Sequence, residues 1–270
     1  MTTQTASVKH FLQSGEYDAR FAGWSGEYLA RAKQADADLR QALIAAVKLR
    51  TANQPATLDM PSDPVAFTRN RVEPMVRGLF PRNEQPVVLR VLERSVVFLS
   101  PQNIYSVLER TGPLGTAWKL ANMYLNAVGA ELVSDDAPRI VGLSEETTCY
   151  VSPLYFQETN RFADHLVHEA AHIFHNCKRG TIGLKQTRRR EWLLDLMFQK
   201  RETFAYCCEA YSRILALGSG PVERTRLLDQ LAKGSMPGDE RVDAVEYVEI
   251  LREACSARNG WKRILARCGR

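Results

Sequence analysis

Hydrophobic positions along the chain recur mostly with the period of a helix, and only one short stretch alternates as a strand does. Residues 25–54, SGEYLARAKQADADLRQALIAAVKLRTANQ, place Leu29, Ala32, Ala35, Leu39, Leu43, Ala46 and Val47 on one face. That pattern predicts a long amphipathic helix with Ser25 as its N-cap. Pro55, Pro61 and Pro64 then crowd a ten-residue window, which reads as a linker or surface loop, and Asp63 followed by Pro64 restarts a short helix. The domain boundary is expected between residues 53 and 85, dividing a helical N-terminal region (1–84) from a second domain (85–270).

From residue 86 the apolar density rises. Ser100 and Pro101 open one helix, and GTAWKLANMYLNAVG, closed by Gly129, makes the next. PRIVGLSEETTCYVSPLYF carries the strand signal, with Ile140, Val141, Thr147, Thr148, Tyr150 and Val151 around the turn SEE, and predicts a hairpin over about 139–152. A helix follows, capped by Thr159 or Asn160 and ended by Lys178, Arg179 and Gly180, with Phe162, Leu166, Ala170, Ile173, Phe174 and Cys177 on its apolar side. Residues 191–218 predict another, with Met197, Phe204, Cys208, Tyr211 and Leu215 as its spine and Gly218 at its end. Two amphipathic stretches, 221–234 and 238–268, complete a C-terminal helical cap. The fold class expected is mainly α with a small antiparallel β-sheet, α+β.

The chemistry concentrates in HLVHEAAHIFH, residues 165–175, which holds four of the chain's five histidines. At about 100° per residue, side chains four apart on a helix are offset by only about 40°. His168 and His172 therefore project from one face, one turn apart, where two imidazoles can reach one ion. Glu169 lies on the flank, aimed at a water on that ion rather than at the ion itself. His165 and His175 sit about one turn beyond the pair on either side, where a backbone or carboxylate partner is the ordinary role of a histidine. A zinc site for hydrolysis needs a third protein ligand and one open position. Glu202 and Glu209 share a face of the next helix about 10 Å apart, so one ion cannot use both. Glu202 is the expected third ligand, because it comes sooner after the loop and has Phe198, Ala205 and Tyr206 around it. Glu209, His165 and His175 remain alternatives.

Composition bounds the setting. At 270 residues, 45% hydrophobic and 25% charged, the chain can bury a sizeable core as an ordinary globular protein, not a disordered or collagen-like one. No apolar run reaches the roughly 18 residues of a membrane span, and the first twenty residues lack a basic and apolar leader. The expected address is cytoplasmic, with no membrane partner; a Ser/Thr-rich start is also compatible with export by a machine that needs no hydrophobic signal. Six cysteines without a CxxC pair are expected to be reduced and mostly buried. A net charge of +5 is mildly basic. Its strongest cluster, Lys185 to Arg190, reads as a solvated loop or as a surface for an acidic protein or nucleic acid.

HEAAH at 168–172 and RETFAYCCEAY at 201–211 resemble the zincin metallopeptidases, in the gluzincin branch that uses glutamate as third ligand, over about residues 138–212. The resemblance implies a zincin-like catalytic core, zinc as cofactor, a zinc-bound water polarised by Glu169, and a protein or peptide substrate. It also implies that the substrate lies antiparallel to the edge strand before the active-site helix, around Cys149 to Tyr155, with a nearby Tyr or His stabilising the oxyanion. Tyr206, one turn after Glu202, is the expected donor, against a plain packing role; it stands where some gluzincins place an aspartate. No third histidine follows at metzincin spacing, since residues 175–178 read His, Asn, Cys, Lys. The function expected is a zinc-dependent endopeptidase with Glu169 as general base. The alternative is a non-catalytic binding module acting through Lys185 to Arg190, with a structural or relict metal site.

Overall fold

The computed structural model of the protein describes residues 3–54, 60–188, 190–234 and 236–270. The described residues form α1 (Thr3–Ser14), α2 (Tyr28–Thr51), α3 (Pro64–Leu79), α4 (Gln85–Ser95), β1 (Val96–Phe98), α5 (Ile104–Arg110) and α6 (Leu114–Ala127). There follow β2 (Gly142–Glu145), β3 (Thr148–Val151), α7 (His165–Asn176), α8 (Arg201–Leu217), α9 (Pro221–Ala232), α10 (Ala244–Ser256) and α11 (Gly260–Cys268). The fold is mainly helical with one small sheet, α+β as expected. That sheet is mixed rather than wholly antiparallel, in the order β1-β3-β2. The third strand, β1, ends an apolar run whose pattern suggested only helix. Among the described residues no helix is long and apolar enough to cross a membrane.

The chain divides into two compact units that interleave in sequence. One comprises residues 1–60, 98–141 and 152–156, the other 61–97, 142–151 and 157–270. The first crossing falls inside the window expected from the prolines, but a single cut between 84 and 85 does not describe the division, because α5 and α6 return to the first unit. Residues 55–59 of the expected linker lie outside the described residues.

In the first unit α2 buries Ala35, Leu39, Leu43, Ile44 and Val47. Its helix starts at Tyr28 after Glu27, so Ser25 is not its cap, and Leu29 in the first turn is 80% exposed. Arg40 shares the buried face because its guanidinium donates to the carbonyls of Leu108 and Gly112 and pairs with Asp36. The Trp118 indole donates to Leu12 C=O. Its ring passes so close to Gly15 (φ +73°) that a Cβ there would meet it at 2.8 Å.

The second unit is built around α7, which packs against α8, α3, β2 and β3, and buries Leu166, Val167, Ala170, Ala171, Ile173 and Phe174. The Phe80 ring meets Phe174 edge-on at 5.1 Å. The helix predicted over 191–218 is shorter than its pattern and begins at Arg201. Residues before it spend their backbone groups elsewhere: Leu193 and Leu194 donate to Cys177 and Phe174 C=O, and Met197 donates to Cys268 C=O. Met197 therefore belongs to no helical spine. The stretch 238–268 is two helices, restarted by Asn259, whose side chain accepts from Lys262 N–H. All six cysteines are free and buried.

The loop from α7 to α8 hangs on a buried ion pair. Arg179, fully buried, places Nη2 2.5 Å from Glu84 Oε1 and donates through Nε to Lys185 C=O. Removing one partner of such a pair costs about 3–5 kcal/mol, because the other charge stays buried. Arg190, 3.7 Å from the second Glu84 oxygen, keeps part of that compensation. Arg179→Ala is therefore expected to lower the unfolding free energy by about 3 kcal/mol in denaturant titration. Arg188→Ala on the exposed part of the same loop should stay within about 0.5 kcal/mol; equal effects would deny the pair its anchoring role.

Candidate metal centre

Asp164, not Thr159 or Asn160, caps the histidine helix: its carboxylate accepts from Val167 N–H at 3.3 Å, and Arg71 stands 3.5 Å away. The first turn therefore begins at His165, and Phe162 lies outside the helix. From that start His168 and His172 fall on the face turned to α8, each only 8% exposed. Glu202 comes from the first turn of α8.

Three donor atoms converge. His168 Nε2 and His172 Nε2 are 3.3 Å apart, and Glu202 Oε2 lies 3.8 Å from the first and 3.5 Å from the second. Tetrahedral ligands at about 2.0–2.1 Å from a common ion stand about 3.3 Å from one another, so the spacing fits a single small cation with little adjustment. His168, His172 and Glu202 are a group of His, Cys, Asp or Glu able to hold an ion. His165 and His175, the alternative ligands, do not join it.

Both histidines are oriented from behind. His168 Nδ1 meets Glu209 Oε2 at 3.0 Å, while Glu209 Oε1 accepts Asp164 N–H at 2.8 Å. Since Glu202 faces the histidines and Glu209, two turns on, reaches the start of α7, the two helices run antiparallel. His172 Nδ1 meets His175 Nε2 at 3.0 Å. If His172 offers its Nε2 lone pair to an ion, its proton sits on Nδ1 and His175 must accept there. The single ring proton of His175 then rests on Nδ1, a buried atom without a partner. Burial, with His172 and Arg201 nearby, pushes His175 down to about 4, which keeps it the neutral acceptor this requires.

The electrostatics fit a cation. Burial opposes charge on His168, but the neighbouring Glu202 carboxylate and the hydrogen-bonded Glu209 carboxylate outweigh it and raise its pKa to about 10. Burial likewise opposes ionisation of Glu202, yet the two imidazoles facing it hold its carboxyl well below the usual range. The metal-free centre thus keeps a proton on His168, and an entering cation must displace it. Because the folded pKa exceeds the unfolded one, this proton stabilises the metal-free fold below about pH 6.5, and that contribution fades as pH rises towards 10.

Other groups complete the surroundings. Glu169 is buried against β2, where a Cβ on Gly142 would fall 2.6 Å from its Cγ. Arg241, on the loop before α10, places Nη2 3.1 Å from the outward Glu202 oxygen and is itself clasped by Asp239. The Tyr206 ring lies 4.4 Å from the His168 ring. Burial first, then the carboxylates of Glu209, Asp239, Glu202 and Glu169, push the Tyr206 phenol up to about 12.

One expectation is corrected. Cys149 to Tyr155 do not offer an edge to a peptide: β3 is the middle strand, paired on both sides, and Pro153–Gln157 form a 3-10 turn. The edge beside Glu169 belongs to β2. In the basic cluster Lys185, Arg188 and Arg190 are exposed, Arg189 lies outside the described residues, and Lys178 nearby pairs with Glu191 at 2.7 Å. Comparison of the chain with protein-family models, with curated proteins and with solved structures finds no match.

Residues that orient metal-bound histidines typically cost 10–100-fold in affinity when removed. Glu209→Ala is expected to weaken metal binding by about that factor. Glu202→Ala should cost more, since it leaves two protein ligands. Competition titration with a chromophoric chelator measures both; wild-type affinity in Glu209→Ala would remove its orienting role.

Proposed function

We propose that the protein is a metal-dependent peptidase of zincin type, an endopeptidase that hydrolyses a bond in a protein or peptide substrate, with zinc as its ion. The observation that carries this reading is the convergence of His168, His172 and Glu202 donor atoms within 4.8 Å of one another, with Glu169 in the helical turn between the histidines. Two neutral imidazoles and one carboxylate are a donor set that suits zinc and leaves a fourth position open. When bound, such an ion supplies Lewis acidity, lowering the pKa of water towards about 7 and favouring negative charge on oxygen.

The chain's own residues carry the proton transfers. Glu169 accepts a proton from water as the water oxygen bonds to the peptide carbonyl carbon. It then returns that proton to the amine nitrogen as the C–N bond breaks, so that one water is consumed and an acid and an amine leave. Gly142 lets Glu169 sit against the strand edge, which restricts the carboxylate to one side of the centre. The Tyr206 phenol, protonated throughout the neutral range and with its ring 4.4 Å from that of His168, would donate to the oxygen that gains charge. Its hydroxyl makes no hydrogen bond to another described residue, which leaves it free for that task. Glu209 and His175 hold the imidazoles in the tautomer that presents Nε2.

Glu169→Gln separates the roles. It should bind zinc within about twofold of wild type and lose at least 100-fold in cleavage of a quenched-fluorescence peptide library, the usual scale for a general base. Cleavage at the wild-type rate would remove Glu169 from the mechanism, and with it the peptidase reading.

A further inference from the structure

A cleft of about 450 Å³ opens beside the metal centre, within the range of about 300–1,000 Å³ typical of ligand pockets. Tyr206 and Glu209 both form part of its wall, so the cleft and the centre share two side chains. Two features say what it would take. The first is Tyr247 of α10, which lines the cleft, is only 4% exposed, and makes no hydrogen bond to another described residue. Its hydroxyl oxygen keeps accessible surface while the ring is buried, so it opens onto the cleft, where a ligand can meet it. Burial holds its phenol well above the ordinary range, so the group is a neutral hydroxyl, able to accept as well as donate.

The second is charge. Glu158 and Glu209 line the cleft, and no lysine or arginine is among its described lining residues. The backbone N–H of Asn160 and the ring of His165 hold Glu158 below the usual carboxylate range, so it is ionised. His165 bridges the two, with Nε2 3.0 Å from Glu158 and Nδ1 4.0 Å from Glu209. Phe162, Leu231, Met236 and Pro237 supply apolar wall between these polar points. A long aliphatic stem ending in a cation matches that combination, since such side chains lay their methylenes on apolar surface and keep the charge among acceptors.

We propose that this cleft binds a lysine or arginine side chain, its cationic head set among Glu158, the Tyr247 hydroxyl and the outer face of the Glu209 carboxylate. As a binding site it stands on its own walls. As the pocket that selects a residue near the scissile bond, it rests on the peptidase reading above.

The two claims can be tested apart. Binding is followed by NMR on the full chain with N-acetyl-arginine amide and its uncharged isostere N-acetyl-citrulline amide. The arginine compound should bind at least tenfold tighter than citrulline. Glu158→Gln should cut that preference about tenfold, and Tyr247→Phe, which removes one hydroxyl and keeps the ring, about threefold. Equal binding of the two probes, or an unchanged preference in both variants with native spectra, would overturn the cleft assignment. The zinc-loaded protein is then offered a peptide library. Cleavage next to lysine or arginine, with the preference flattened by Glu158→Gln, supports the substrate role; cleavage without that preference overturns it. Arginine binding without cleavage of any peptide would leave the cleft intact and count against the peptidase reading instead.

Discussion

The hydrogen bond between His168 Nδ1 and Glu209 sets the rest of the centre. It joins α7 to α8 in the buried layer between them, and the same carboxylate reaches the backbone at the start of α7 through Asp164 N–H. Once that contact is made, the antiparallel run of the two helices carries Glu202, two turns earlier on α8, to the other ring nitrogen of His168. An imidazole held at one nitrogen presents the other in a fixed direction. His172 receives the same treatment from His175, so both donors aim at Glu202 before any ion arrives.

Such an arrangement gathers like charge. Glu169, Glu202 and Glu209 lie around two imidazoles in a place with little water, and burying carboxylates is costly unless something positive answers them. The protein answers with a proton on His168 and with Arg241 outside Glu202. Neither neutralises all the carboxylates. A divalent cation at the point where the three donor atoms converge would do so more fully, which ties the electrostatics and the geometry to the same position.

Much of this was legible in the sequence, and the limits are physical. The shared face of His168 and His172 followed from helical spacing, because 3.6 residues per turn is a property of the backbone that tertiary context does not alter, while Glu202 rested on its place early in the next helix. The hairpin around Glu146 was visible in its alternation. The start of α8 was not, because Leu193, Leu194 and Met197 have a helical pattern but hydrogen-bond to partners distant in sequence. Strand β1 was hidden for a related reason: its apolar run suits a buried helix as well as a strand. Glu209 was legible as a residue behind the ligands or on the surface, and the structure places it behind His168. The roughly 10 Å that keeps it off an ion held by Glu202 also lets it reach the far side of a ring. His175 was recognisable only as a neighbour at i+3 from His172. Arg241 and Asp239 carried no signal, since they sit on a loop whose approach to Glu202 depends on how α10 packs against α8.

The central claim is that two imidazoles and one carboxylate of this chain hold a single ion. X-ray absorption at the zinc edge on the protein loaded with one equivalent of zinc tests it most directly. The account predicts a first shell of nitrogen and oxygen at about 2.0–2.2 Å, with imidazole scattering from two histidines, and no sulfur at about 2.3 Å. Sulfur in the first shell, which any of the six cysteines would have to supply, or no stoichiometric uptake at all, would contradict it.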